Sequence, residues 1–408
     1  MLRVRKKYIM YNACDSSESV TVGLYFPNGI LHETARKTGI GNFVDVAIFE
    51  RLSTEEFLSD TRITGHTYYH YSEFLLTSSR KTWKEEFTKL ADIILDPNIN
   101  QNLVTKVQGA LRQNLLGQDQ DIDDLYNEQY YCLSRLSKPI IGDDLETIKS
   151  FTVQEVQEYQ RQYYALEKAT LCVTGSASAE DVRWIYDTNA QSDFADLKNQ
   201  GYGKRGNSDI IIVKTDWNDS DILISFDCPE TANSDFLLLE VFCCICEKIL
   251  NRLSYQSDSS FSCYEKPKLY LDYATPKIIF KLTTKNNGLK DIFQSVLPAL
   301  QKEIHHLDPV ILSEAIDEVI DNYAFLTQNS SELNLWMGWN SMIGEPYDLK
   351  LLPFKDVLCK RVSLKGILQC LRQCIRSQNA AIALTNNPAT ISDEEIRKII
   401  KDWRTQFS

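Results

Sequence analysis

The chain has 408 residues and an acidic charge balance, with 44 Lys and Arg against 56 Asp and Glu, for a formal net charge of −12. Apolar residues make up 43% and charged residues 25%, which is typical of a folded globular protein and excludes a disordered chain. The length predicts two or three domains. The negative charge, without any basic run carrying interleaved aromatic residues, argues against a nucleic acid partner.

Membrane insertion and secretion are not predicted either. The most apolar stretch, Phe236–Leu250, is interrupted by Glu240 and Glu247 and is too short to cross a bilayer. The N-terminus lacks the apolar core of a secretory signal. Eleven cysteines, an odd number, include three within the apolar run and predict small core side chains in a reducing compartment. The sequence therefore predicts a cytoplasmic protein.

The same pattern occurs twice, about half a chain apart. An acidic segment leads into the apolar strand Val20–Phe26, and a second acidic segment leads into Ile222–Asp227, 202 residues further on. An apolar strand precedes each copy, Tyr8–Tyr11 and then Ile210–Val213, and a long helix-like segment follows each. We therefore predict a duplicated domain, with copies at 1–198 and 210–408 and a polar, glycine-rich linker at 199–209.

Apolar periodicity places helices and strands within each copy. In the first copy it predicts helices at about 83–94 and 101–137, then a helix after Thr152, which has the spacing of a capping box with Glu155, and a strand at 169–174. In the second copy it predicts a strand at 277–283, helices near 289–305, 309–325 and 364–377, and a last strand at 380–385. The predicted fold class is α+β, with two homologous halves that each have a sheet covered by helices.

The segment Gly39–Phe49 resembles the helix that carries the inverted zinc motif His-x-x-Glu-His of the M16 family, which includes insulinase, pitrilysin and the mitochondrial processing peptidase. Gly23–Gly29, with Glu33 and Thr34, resembles the strand and turn that precede that helix. Gly65–Tyr68 resembles the family's substrate-binding edge strand. The resemblance extends over nearly the whole chain. It implies a LuxS/metallohydrolase-like fold in both halves, each a mainly antiparallel sheet covered by helices.

The residues that the family uses for zinc chemistry are replaced here. In the family, two histidines bind zinc and the glutamate acts as general base on a metal-bound water. At these positions the chain has Asn42, Asp45 and Val46, and at the third ligand, a glutamate in the family, it has Gln113. An amide oxygen is a poor zinc ligand and valine is none. The resemblance therefore implies no catalytic residue, and no metal bound by this chain.

The family also has an Arg-x6-Tyr pair that holds substrate carbonyl groups from the second half. The position of the tyrosine corresponds to Tyr264, but Ser257 occupies the position of the arginine, and Arg252 is five residues too early. Tyr264 is therefore either a retained substrate contact or an aromatic residue on a half-buried surface.

Two further polar groups have residue types found in binding sites. His66 and His70, followed by Glu73, have the i, i+4 spacing of a metal site on a helix. The stretch is rich in β-formers, however, and on a strand the two histidine side chains lie about 13 Å apart, too far to share an ion. The acidic run 118–124 is typical of a solvated helix face or turn. By resemblance to the family, this region could instead contact a basic segment of a substrate.

Taken together, the resemblance implies a non-catalytic subunit of an M16-type zinc peptidase heterodimer, whose catalytically competent M16-like partner would carry the zinc. The chain would close the chamber and help bind an extended peptide, with His66, Thr67 and Tyr68 as the first residues of a strand to which the peptide adds. The substrate by analogy is a ribosomally made, bacteriocin-like peptide undergoing maturation or leader removal. The alternatives are a structural or assembly subunit without a role in proteolysis, and a peptidase with a non-standard metal site.

Overall fold

A computed structural model gives the structure of residues 7–11, 18–29, 32–34, 36–68, 71–117, 145–166, 168–183, 185, 210–228, 236–256, 261–270, 277–343, 362–375 and 380–406. The predicted linker 199–209 and the acidic run 118–124 lie outside the described residues.

Each half of the chain contains five strands and several helices among its described residues. The strands are β1 (Lys7–Tyr11), β2 (Ser19–Phe26), β3 (Arg62–Thr67), β4 (Ser72–Ser79), β5 (Thr170–Gly175), β6 (Ile210–Lys214), β7 (Asp219–Asp227), β8 (Phe261–Tyr270), β9 (Lys277–Lys285) and β10 (Ala381–Asn386). The helices of the first half are α1 (Ile40–Leu52), α2 (Trp83–Leu95), α3 (Gln101–Gly117), α4 (Leu145–Ser150), α5 (Val153–Tyr163) and α6 (Ala179–Val182). Those of the second half are α7 (Phe236–Gln256), α8 (Leu289–Asp291), α9 (Leu297–His305), α10 (Pro309–Gln328), α11 (Ser330–Ile343), α12 (Leu364–Cys374) and α13 (Asp393–Gln406), with a π-helical turn at Ile292–Val296.

The two sheets have the same strand order, which confirms the predicted α+β fold with two similar halves. The first sheet has the order β1-β5-β2-β4-β3 and the second has the order β6-β10-β7-β9-β8. In each, the first pair of strands is parallel and the others are antiparallel. Among the described strands, β3 and β8 form the corresponding edges of the two sheets.

The alternation of side chains along β2 explains how helices cover both faces of the first sheet. Val20, Val22, Leu24 and Phe26 point into a core shared with α1 and α2. The intervening residues, including Tyr25, point to the opposite face and are also buried. A strand that is apolar on both faces is typical of a sheet covered on both sides.

The opposite face of the first sheet is covered by α11, which comes from the second half of the sequence. Asn334 donates to the carbonyl oxygens of Thr21 and Cys172 at 3.1 and 3.0 Å, and its Oδ1 accepts from the Tyr25 hydroxyl at 2.9 Å. A Cβ added at Gly338 would lie 1.9 Å from the Tyr25 ring, so the helix packs directly on that ring. The chain accordingly divides into two compact units, of which the first comprises 1–118, 140–201 and 324–347. The boundaries 1–198 and 210–408 stay a prediction.

Neither α11 nor α13 is among the helices predicted from the sequence. On α11 the buried residues include Leu333, Met337, Asn334 and Gly338, so polar and small residues interrupt the apolar period. On α13 the period is regular, with Ile396, Ile399, Ile400 and Trp403 buried. The capping box of α5 is present as predicted, since Thr152 and Glu155 bond reciprocally. No described helix has both the length and the apolar character needed to cross a membrane.

Candidate functional site

The helix α1 begins at a glycine and a buried carboxylate. Gly39 has φ 86°, in the left-handed region that favours glycine, and redirects the chain into the helix. The Glu33 carboxylate accepts from the backbone N–H groups of Gly39 and Gly41 at 2.6 and 2.8 Å. These N–H groups have no partner within the helix, and the negative charge of Glu33 is favourable at the positive end of the helix dipole. Glu33 therefore fixes the start of α1 and the direction in which its first turn points.

The three α1 positions of the zinc motif differ in their surroundings. Asn42 and Val46 are half-buried, whereas Asp45 is only 4% exposed. Both carboxylate oxygens of Asp45 are occupied: Oδ1 accepts from the Tyr164 hydroxyl at 2.5 Å, and Oδ2 accepts from the Thr67 hydroxyl. Asp45 thus ties α1 to the end of α5 and to the edge strand β3.

Burial raises the pKa of Asp45 to about 6, and the hydrogen bonds from Thr67 and Tyr164 oppose that rise. A carboxylate held in this way has no free oxygen directed at a water molecule. Gln113, the proposed third position, has an exposed side chain on α3. The donor set at these four positions does not fit a zinc site, since only Asp45 offers a ligand that zinc favours and both of its oxygens are engaged.

The predicted substrate strand lies where the resemblance places it, at the edge of the first sheet. His66 and Thr67 are the last residues of β3, and the Tyr68 N–H donates to the Tyr71 carbonyl at 2.7 Å in the turn to β4. A Cβ added at Gly65 would lie 2.7 Å from the Glu73 carbonyl oxygen and 2.9 Å from the Phe49 ring, so α1 packs tightly against the strand. The role of His66, Thr67 and Tyr68 in peptide binding stays a prediction. His70 lies outside the described residues.

The face of the sheet opposite α1 has a buried polar group, Glu73, for which the sequence predicts no role. Glu73 on β4 is fully buried, and the His66 Nδ1 and the Tyr68 hydroxyl lie 3.4 Å from its Oε1. Its Oε2 has no hydrogen-bond partner among the described residues. Burial raises the pKa of Glu73 to about 8. In the sequence, the signal for this buried group is a single carboxylate within the strand β4.

The second unit has a comparable edge strand, β8, and the sequence has serine at the position of the family's arginine. Tyr264 is a residue of β8, and its side chain is outside the described set, as is Ser257. Arg252 forms an ion pair with Glu303 at 2.7 Å. The Lys266 ammonium on β8 lies 2.8 Å from Glu318. Arg252 is therefore engaged within its own unit, and the substrate contact of Tyr264 stays a prediction.

No group of three or more His, Cys, Asp or Glu side chains in the described part of the chain is arranged to hold a metal ion.

The described cysteines carry free thiols, and they include Cys172, Cys243, Cys244 and Cys246. The predicted cytoplasmic location stays a prediction.

The sequence matches two curated relatives over less than half of each. The uncharacterized zinc protease YmxG of Bacillus subtilis is 25% identical over 172 residues, which is 39% of this chain and 42% of that protein. The mitochondrial-processing peptidase subunit beta of Dictyostelium discoideum is 22% identical over 182 residues, 40% of this chain and 38% of that protein. No family model matches the chain.

Solved structures share the fold over almost the whole chain. The peptidase M16 inactive domain from Pseudomonas fluorescens has a TM-score of 0.72 at 9% identity, covering 95% of this chain and 97% of that one. The chain is M16-like. A chain of Complex III2 from Candida albicans matches this M16-like chain with a TM-score of 0.73 at 12% identity, covering 96% of both. The periplasmic protease PqqL from Escherichia coli has a TM-score of 0.72 at 12% identity, covering 98% of this chain but 49% of that one. The family resemblance predicted from the α1 segment is confirmed.

Proposed function

We propose that this M16-like chain is the non-catalytic subunit of a zinc peptidase pair, and that it helps to bind an extended peptide. The observation that carries the proposal is the state of Asp45. It occupies the position of the family's general base, yet it is buried and both of its oxygens accept hydrogen bonds from within the chain. A general base must reach the proton that it removes, directly or through one water molecule. Asp45 serves instead as an anchor for β3.

The partner in this proposal is a catalytically competent M16-like subunit that carries the zinc. The similarity to PqqL supports a paired arrangement, because this chain matches about half of that larger protease. The similarity to an inactive M16 domain supports a silent role for one half. The edge strand β3 supports peptide binding, because an edge strand offers backbone groups to which an extended peptide can add.

The finer parts of the proposal rest on the family resemblance. They are a heterodimer in the cytoplasm, no zinc bound by this chain, and a substrate that is a ribosomally made, bacteriocin-like peptide undergoing maturation or leader removal. Tyr264 on β8 is included as a candidate substrate contact.

The experiment compares the purified chain alone with the chain mixed with an M16 protein from the same genome that has an intact His-x-x-Glu-His motif. We expect the lone chain to retain no zinc and to cleave no fluorogenic peptide, and the mixture to cleave faster than the partner alone. Stoichiometric zinc in the lone chain, with cleavage that a chelator abolishes, would overturn the proposal.

The variant Asp45→Asn, measured in the mixture, distinguishes a structural role of Asp45 from a role as general base. Asparagine keeps the shape of the side chain and can still bond Thr67 and Tyr164, so we expect less than about a threefold change in rate. If Asp45 were the general base, the loss would be about 10²- to 10⁴-fold.

A structural subunit without a role in proteolysis is the second candidate, and the similarity to a chain of Complex III2 favours it. In that case the chain would assemble with a partner and the cleavage rate of the partner would not depend on it.

A further inference from the structure

Three side chains form a row across the first sheet on the face opposite α1. Tyr25 on β2 is directly opposite Glu73 on β4, and Glu73 is directly opposite His66 on β3. Directly opposed residues on neighbouring strands have their side chains on the same face. Since β3 is the edge of the sheet, His66 is the last member of this row before the position of an added strand.

Glu73 has fewer partners than the other buried carboxylates in the first unit. The Glu33 carboxylate accepts from two backbone N–H groups, and Asp45 accepts from two hydroxyl groups. Glu86 pairs with the Lys89 ammonium at 2.8 Å. Glu73 has two contacts at 3.4 Å on one oxygen and none on the other, and no described Lys or Arg pairs with it. Burying a charge without a partner is costly, so a cation brought next to Glu73 would stabilise its carboxylate form.

A cluster of aromatic rings contacts this carboxylate through His66 and Tyr68. Tyr68 and Tyr71 have ring centroids 4.8 Å apart, Tyr25 and Tyr71 are 6.0 Å apart, and His66 and Tyr68 are also 6.0 Å apart. The faces of tyrosine rings attract ammonium and guanidinium groups, and a carboxylate gives such groups a charge-assisted hydrogen bond. The chemistry of the cluster therefore favours an organic cation.

We propose that Glu73 accepts the side chain of a lysine or arginine carried by a peptide strand that adds to β3. A residue of that strand opposite His66 has its side chain on the face that carries Glu73, whereas its neighbours point to the α1 face. The backbone of the added strand is about 9–10 Å from β4, two strand spacings away. Only a long side chain spans the width of β3, and the stems of lysine and arginine are long and flexible.

His66 and Tyr68 lie over Glu73 and are the residues of the cluster nearest to solvent. The His66 side chain is 64% exposed and Tyr68 is half-buried, whereas Tyr25, Tyr71 and Glu73 are buried. The incoming cation displaces the His66 ring and takes its place beside the carboxylate. The inference rests on the proposed function, because it names the substrate class that the β3 edge selects.

The test measures binding of three dodecapeptides to the full chain by fluorescence anisotropy. The unstructured, fluorescein-labelled peptides are identical except for one central residue, which is lysine, norleucine or glutamine. We expect the lysine peptide to bind at least about tenfold more tightly than the norleucine peptide, as is typical of a hydrogen bond to a charged group. In Glu73→Gln we expect this ratio to fall below about twofold.

The matched control is Glu50→Gln. Glu50 lies on α1 and already pairs with Lys106, so Glu50→Gln makes the same change of side chain in the same unit without removing an unpaired carboxyl group. We expect the preference for lysine to survive in this variant. A preference that also survives in Glu73→Gln, or wild-type binding that ignores the central residue, would overturn the inference and leave peptide binding intact. If none of the peptides bound, the proposed function would fail as well.

A second measurement on the wild-type chain does not depend on any variant. A cation beside Glu73 favours the carboxylate, so binding of the lysine peptide at pH 7 releases a proton and binding of the norleucine peptide does not. The titratable groups at Glu73 are His66 on β3, Tyr68 in the turn after β3 and Tyr25 on β2, and Tyr71, just before β4, lies next to Tyr25 and Tyr68. Calorimetry in phosphate and in Tris buffer detects the proton, since the apparent binding enthalpy changes with the buffer. Equal enthalpies for the lysine peptide in the two buffers would overturn the inference.

Discussion

At the scale of single residues, the change from a zinc motif to Asn42, Asp45 and Val46 has a structural consequence at Asp45 alone. The half-buried Asn42 and Val46 simply lack the chemistry of a ligand. Asp45 keeps a carboxylate in a buried place, where its charge is compensated by two hydroxyl groups rather than by a metal ion. The sequence showed which chemistry was lost, and the structure shows which packing role replaced it.

Asp45 makes the stability of the chain depend on pH. Its pKa is about 6 in the folded chain, against about 3.9 for an unfolded aspartate. The carboxyl group binds its proton more tightly when folded, so its contribution to stability is fully present below about pH 4 and is lost as the pH rises through about 6. A shift of about two units corresponds to about 3 kcal/mol.

We therefore expect Asp45→Asn to gain stability relative to the wild type as the pH rises from 4 to 8, by up to about 3 kcal/mol. Urea unfolding at several pH values measures the difference. Asp60→Asn, at an exposed position, is the control for the loss of one negative charge. Parallel curves for the wild type and Asp45→Asn would contradict the role given to this group.

At the scale of elements, α11 depends on close contact with β2. Gly338 lies against the Tyr25 ring, and Asn334 supplies hydrogen bonds to Thr21 and Cys172. A helix that packs through a glycine and an asparagine has little apolar period, which is why the sequence did not reveal it. The helix α2, which packs through Leu, Ile and Phe, agrees with its predicted bounds of 83–94 to within a residue.

The contact predicts opposite effects for two glycine substitutions. In Gly338→Ala the new Cβ would lie 1.9 Å from the Tyr25 ring, and we expect a loss of about 1–3 kcal/mol of unfolding free energy. In Gly109→Ala, within α3, the Cβ meets nothing within 4 Å, and we expect a gain of about 0.5–1 kcal/mol from helix propensity. Denaturant unfolding of the two variants measures both. Equal effects of the two substitutions would contradict the packing of α11 on β2.

At the scale of the whole molecule, the first unit is not a continuous stretch of sequence. Residues 324–347 cluster with the sheet that residues 7–175 build, although some 150 residues separate them from it. The buried residues on that face of the sheet, Thr21 and Tyr25 among them, bond to Asn334. A fragment that ends at the predicted linker would expose them to water with their hydrogen bonds broken.

We therefore expect a fragment of residues 1–209 to aggregate or to unfold without a cooperative transition. Joining residues 324–347 to it through a flexible linker should restore a cooperative transition, because α11 again covers β2 and β5. Circular dichroism melting and gel filtration of the two proteins measure this. A cooperative transition at the same temperature in both would show that α11 is dispensable for the first unit.

The sequence by itself determined the features that depend on neighbours along the chain. The periodicity of α2, the capping box at Thr152 and Glu155, the duplicated strands and the loss of histidines from α1 are all local patterns, and the structure or the comparisons bear out the fold that they predict. The tertiary structure alone decided the features that join distant residues. It brought Tyr164 and Thr67 to Asp45, placed α11 on the first sheet, and left Glu73 buried with no lysine or arginine beside it among the described residues. Such contacts depend on how sheets and helices pack, and a single residue in a sequence does not specify its partner across the fold.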